Sequence, residues 1–284
     1  MTKLIALIDG SIYSKSVCDH TAWAAGKTGA IVEIIHVLGH QETSTEPVNL
    51  SGNIGLGART ALLEELAEHD AKTAKLSQKR GRMILADAKA RLLSEGLEKI
   101  STRLRLGGIA ETIQYYEKNT SFIIVGKRGE AADFAKMHLG SNLERVVRSS
   151  NKPILVAARS FTPIKRFLIA FDGGPSSLKA VKYIAEGDLF SDLECRIIMV
   201  GKETSHTKKQ LDNAIKIIKT KGFTTEAGIE QGYPSEVISK FVEEDGINLV
   251  VMGAYGHSRI RSLVIGSTTT EMVRSCKVPV MLFR

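Results

Sequence analysis

Residues 248–273 read NLVVMGAYGHSRIRSLVIGSTTTEMV: an apolar, strand-like run, then Gly253 and Gly256 separated by two residues, then nine more to Gly266 and Ser267. Residues 122–147, FIIVGKRGEAADFAKMHLGSNLERVV, write the same arrangement with Gly126, Gly129, Gly140 and Ser141. Glycine lets backbone amides approach an anion closely and tolerates positive φ. A strand ending in such a loop and leading into a helix N-terminus is a common physical solution for holding phosphate. Two copies in one chain argue against coincidence.

The duplication extends outward. KLIALIDGS at 3–11 matches RFLIAFDGG at 166–174, each an apolar strand followed by Asp and Gly. Helix-like segments follow at 14–26 and 176–187, then second apolar strands at 31–37 and 195–200. Residues 104–119 and 228–246 each give a short strand, a glycine and an amphipathic helix, and both halves close on a strand that begins around a proline. Asp9 and Asp172 lie 163 positions apart but Gly126 and Gly253 only 127, so the first half carries about 36 extra residues. They are placed at about 41–82, as an added loop and a lengthened helix. Strands alternating with helices predict α/β architecture: two tandem domains, 1–158 and 164–284, each an open parallel sheet covered on both faces. The closing strands, at 153–157 and 279–283, are the expected pairing surface between them.

Composition sets the outer bounds. Apolar residues make up 43% and charged residues 25%, ordinary for a globular protein. No apolar run reaches bilayer length and no signal-peptide layout is visible, so the cytoplasm is the expected compartment. Cys18, Cys195 and Cys276 have no paired spacing and fall in core-like segments. The net charge of +8 comes from scattered Lys and Arg. The densest cluster, at 75–82, reads as a solvated helix face without the aromatic signature of a nucleic-acid binder.

In an open parallel sheet, ligand binds beyond the carboxyl ends of the strands where strand order reverses. Asp9 and Asp172 follow the first strands, Val37 and Val200 end the second strands, and the glycine loops follow the fourth. These positions can converge on one crevice in each half. An aspartate there could orient a base or ribose, strand-end amides could read an adenine edge, and loop amides with the Ser267 and Thr268 hydroxyls would receive phosphates.

Through these residues the chain resembles a tandem universal stress protein, two family domains in one polypeptide. The strand–Asp–Gly starts and the G-x2-G-x9-G-[ST] signature carry the resemblance, which covers nearly everything outside the insertion. It implies a stress-response protein that binds ATP or another adenine nucleotide through Asp172, Val200, Met252, Gly253, Tyr255, Gly256, Gly266, Ser267 and Thr268. The corresponding first-half positions are Asp9, Val37, Gly126, Gly129, Gly140 and Ser141. It also implies halves packed about a pseudo-twofold axis and leaves a homodimer open. The first half departs from the pattern: ten residues separate Gly129 from Gly140, and Asn142 stands where the second half has Thr268. That site ranks second, either degenerate or suited to another small ligand, with Lys127 and Arg128 as compensating cations.

Plainer readings stand beside these. Ser267 could be only a helix N-cap, and Asp9 and Asp172 could simply make Asx turns. His36 reads as structural, and His20, His40, His69, His138, His206 and His257 lack metal-ligand spacing. Mg²⁺ accompanying a triphosphate needs no dedicated cage. There is no P-loop, no G-x-G-x-x-G after a first strand, no nucleophile elbow and no evident general base. A binding module is favoured over an efficient ATPase. Slow turnover, or a carrier or structural module using the altered first-half pocket, stays open.

Overall fold

The computed structural model describes residues 2–39, 56–127, 129, 140–254 and 266–284, with the side chains of 56–61 left out of the description. The first half runs β1 (Lys3–Leu7), α1 (Ser14–Thr28), β2 (Ile31–Leu38), α2 (Leu56–Ser94), β3 (Ile100–Leu106), α3 (Ile109–Tyr116), β4 (Phe122–Gly126), α4 (Ser141–Ser149) and β5 (Ile154–Ala157). The second runs β6 (Arg166–Ala170), α5 (Pro175–Glu186), β7 (Glu194–Val200), α6 (Ser205–Lys219), β8 (Thr225–Glu230), α7 (Pro234–Glu244), β9 (Leu249–Gly253), α8 (Ser267–Ser275) and β10 (Val280–Phe283).

Local chemistry sets these elements. Runs such as KLIAL and ILVA are buried almost throughout, as strands covered on both faces require. Gly29, at φ +61°, closes α1 by donating its N–H to Ala25 O. Pro175 and Pro234 open α5 and α7 with φ already set. Thr204 and Thr207 cap α6 reciprocally.

The strand order is β3-β2-β1-β4-β5-β10-β9-β6-β7-β8. Pairing is parallel within each half, and β5 meets β10 antiparallel, Leu155 opposite Met281. The closing strands thus join the halves, as the sequence implied, and the result is one continuous ten-stranded sheet. Strand order reverses between β1 and β4 and again between β6 and β9, so each half has a switch point.

A hydrophobic cluster lies on each sheet face, and both clusters draw on both halves. One joins Leu4 and Leu155 to Phe167 and Met281. The other joins Ile5 and Val156 to Leu168 and Leu282. Polar contacts add to the junction: Lys179 Nζ donates to Asn151 O at 3.3 Å, Arg284 donates to Arg148 O at 2.8 Å, and Lys27 Nζ donates to Ser191 O at 3.0 Å.

Helix α2 has 39 residues where its counterpart α6 has 15. Leu85, Ala88 and Leu92 bury its C-terminal half against the sheet. Gly81 marks the closest approach, because a Cβ there would lie 2.7 Å from Leu104 Cδ1 and 2.9 Å from His36 Cδ2. Strand β2 continues through Leu38, one residue past the expected end at Val37.

His20 on α1 is fully buried against the connection between the halves, edge-on to Phe161 with ring centroids 5.0 Å apart. Its Nδ1 lies 2.7 Å from Ser16 O, an acceptor, so Nδ1 carries the proton and Nε2 is left without a partner. Burial holds its pKa below the ordinary 6.5. The unfolded chain therefore takes up this proton first, and the residue's contribution to stability is complete above about pH 6.5 and lost as pH falls towards the folded-state value. The urea midpoint should fall between about pH 7.5 and pH 5.5, and His20→Asn, which keeps a donor but does not titrate, should flatten that fall. Identical pH profiles for the two proteins would refute the assignment.

Candidate functional site

Each first strand ends in a turn built by its aspartate. Asp9 Oδ1 accepts from the Ser11 amide at 3.0 Å and faces Ser14 Oγ at 3.5 Å. Asp172 Oδ1 accepts from the Gly174 amide at 2.9 Å and from Ser177 Oγ at 2.5 Å. The intervening Gly10 and Gly173 have φ of +80° and +75°, which only glycine adopts cheaply. The Asx-turn reading therefore holds in both halves. It leaves a carboxylate oxygen over: Asp9 Oδ2 faces Gly129, where a Cβ would lie 2.9 Å from it.

Among the described residues, a small cleft with about 40 Å³ of free space opens at the first switch point. Leu7, Ile35, Val37, Ile109, Val125 and Leu143 give it apolar walls, while Asp9, Tyr13, Ser14, Asn142 and the backbone of Gly126 and Gly129 supply polarity. The structure thus gathers four of the expected first-half residues, Asp9, Val37, Gly126 and Gly129, together with Asn142. Gly140 is the N-cap of α4 and Ser141 its first residue. Arg128 lies outside the described residues. Lys127 donates from Nζ to Cys276 O at 2.9 Å, at the C-terminal end of α8 in the other half. A cation there satisfies a helix-end carbonyl.

In the second half, Met252 pairs with Ala170 and Val200 with Glu230, which sets Asp172, Val200, Met252 and Gly253 along the carboxyl ends of adjacent strands. Gly253 packs closely, since a Cβ would stand 3.1 Å from Ser176 Cβ and 3.4 Å from the Ser177 amide. Gly266 is the N-cap of α8, so Ser267 is the first helical residue and not the cap. The Gly266 amide reaches Ala254 O at 3.3 Å and so draws together the two ends of the glycine loop. Tyr255 and Gly256 lie outside the described residues. None of the signature glycines among the described residues has positive φ, so close approach is what these positions demand.

The N-cap residue of neither α4 nor α8 makes a side-chain cap, so among the described residues the first-turn amides are left for another acceptor. The two ends differ in charge: α4 carries Glu144 in its first turn, whereas α8 reads STTT with no acid. A carboxylate there opposes an incoming anion. Thr269, buried between the exposed Ser267 and the strand, faces Gly253 O at 3.2 Å and Ala254 O at 3.3 Å. Nothing in the run Thr268–Thr269–Thr270 singles it out beforehand, beyond a period that turns one of three hydroxyls inward. Leu143 is its counterpart in the first half and packs as an apolar residue.

Other candidates resolve as structural. All three cysteines are buried, and burial pushes Cys18 and Cys195 up to about 12. His36 is buried with Nδ1 2.6 Å from Ile8 O. His206 and His69 are exposed, whereas His40, His138 and His257 lie outside the described residues. Among the described residues no cluster of three His, Cys, Asp or Glu could hold a metal, and no helix is long and apolar enough to cross a membrane.

Comparison with known proteins bears on the family and the fold. The model of the universal stress protein family matches residues 1–158 and 200–284. A universal stress protein of Synechocystis sp. is 37% identical over 287 residues, covering all of both chains. One from Mycolicibacterium smegmatis is 22% identical, covering 98% of this chain and 95% of its own. Among solved structures, a universal stress protein of Archaeoglobus fulgidus superposes with a TM-score of 0.70 at 20% identity, covering 99% of this chain and 98% of that one. The chain belongs to the universal stress protein family.

The aspartate turns give a direct prediction. Asp172→Ala removes the acceptor for the Gly174 amide and the Ser177 hydroxyl and should cost about 1–3 kcal/mol by urea denaturation. Asp172→Asn, which keeps an acceptor oxygen, should cost less than half of that. Equal losses for the two variants would show that the turn bonds do not matter.

Proposed function

We propose that this protein is a stress-response module of the cytoplasm that binds an adenine nucleotide of the ATP type at the second switch point, with occupancy controlling its interactions. Asp172 is placed beside the ribose, Val200 and Met252 beside the adenine, and Gly253, Tyr255, Gly256, Gly266, Ser267 and Thr268 around the phosphates. The observation that carries this reading is the N-terminus of α8: uncapped amides, two hydroxyls and no acidic residue in the first turn, directly beyond the ends of β6 and β9. Aligned amide dipoles favour negative charge there. Mg²⁺ would arrive with the triphosphate, held largely by phosphate oxygens and water. No described residue is set up as a general base, and in this reading the role is binding, with hydrolysis at most slow.

The cleft at the first switch point supports a second reading. Its apolar walls, the Asp9 carboxylate, Asn142 and the acidic first turn of α4 suit a small, less anionic ligand better than a triphosphate. Gly126, Gly129, Gly140 and Ser141 are assigned to that pocket. A homodimer is part of the same functional picture.

Isothermal titration with ATP separates the two readings. Gly256→Val and Gly266→Val should weaken binding at least tenfold, about 1.4 kcal/mol. Gly129→Val, which intrudes on the first cleft, should leave ATP affinity within twofold. Loss of ATP binding only in Gly129→Val would move the nucleotide to the first half, and no binding by the unaltered protein would end the proposal.

A further inference from the structure

Helix α2 extends well past the part of the sheet it covers. Its sheet contact begins at Gly81 and continues through Leu85, Ala88 and Leu92. From Leu62 to Arg80, about 28 Å at 1.5 Å per residue, no residue of the helix is buried. A helical stretch with so little burial is marginal by itself. Its flank nevertheless carries large apolar side chains one heptad apart, Leu76 at 68% and Met83 at 64% exposure.

Charge along this stretch is segregated. Glu64, Glu65 and Glu68 are exposed and come first, and the exposed Lys75, Lys79 and Arg82 follow. The helix dipole does not explain this order, because its effect fades within the first and last turns and these residues lie mid-helix. Lys72, between the blocks, reaches back to the acidic side, with Nζ 3.7 Å from Glu68.

Two such helices laid antiparallel about a twofold axis are complementary to themselves. The acidic block of each lies against the basic block of the other, with Leu76 and Met83 covered between them. A parallel arrangement would set like against like. An isologous contact needs this property, that a surface patch fits its own copy.

We propose that the exposed length of α2 is a homodimer interface, in which two copies of this chain pair antiparallel with the axis passing near Lys72. The pairing covers the apolar flank, and its charge complementarity fixes the direction and register, as charges flanking the seam do in coiled coils. None of its residues lines the described switch-point cleft, so its test does not depend on whether a nucleotide binds.

Charge-reversal complementation tests it. Sedimentation of the purified full chain at low ionic strength, where screening is weakest, should give twice the 30.9 kDa chain mass. Glu64→Lys/Glu65→Lys/Glu68→Lys and Lys75→Glu/Lys79→Glu/Arg82→Glu should each be monomeric, and an equimolar mixture should recover the dimer mass. As a second readout, Lys72→Cys should cross-link rapidly under a mild oxidant, because the native thiols are buried. Lys216→Cys, exposed on α6, should not. A monomeric unaltered protein, dimers that survive both reversals, or equal cross-linking at 72 and 216 would each overturn the proposal.

Discussion

Everything in this molecule depends on the antiparallel meeting of β5 and β10. Each half ends on a short strand, ILVA or VMLF, whose four residues are all buried. Alone, either half would present that strand as a bare apolar edge, open to pairing with any other chain. Pairing them satisfies both edges at once and runs two cores into one. Leu155 and Met281 sit opposite each other with no exposure at all, so shortening either to Ala should cost about 2–5 kcal/mol.

The seam also sets where the chemistry can go. With the closing strands at the centre, the two switch points lie on either side of it, β1 beside β4 and β6 beside β9. Antiparallel joining makes the strands of the two halves run in opposite directions, so their carboxyl ends open at opposite ends of the sheet. The two switch points are therefore separate, and each is free to diverge. Divergence is visible in matched residues: Thr269 against Leu143, Thr268 against Asn142, and an acid-free helix start against Glu144. Lys127 crosses the seam from the first glycine loop to the end of α8, the helix whose opposite end is the proposed phosphate site.

Much of this was legible in the sequence because it is local. Strand identity follows from apolar runs, the turns from Asp–Gly pairs, and the glycine loops from spacing that the chain repeats. The duplication supplied its own ruler and located the insertion. What was not legible depends on side chains meeting across long sequence separations. The destination of Lys127 is one case, since a lysine in a glycine loop suggests an anion until α8 is seen to end beside it. The dual use of Asp9 is another, as spacing cannot show that one oxygen makes the turn while the second faces Gly129. The length of α2 was only partly visible, because its exposed stretch lacks the buried stripe by which a helix is usually recognised.

The central claim is that the seam makes the two halves one cooperative unit, and native-state hydrogen exchange tests it most directly. Amides of β1 and β6, one central strand from each half, should open with the same free energy and respond alike to added denaturant. Exchange in one of these strands at a free energy lower by about 2 kcal/mol or more, with the other still protected, would mean that the halves fold independently and that the shared core does not couple them.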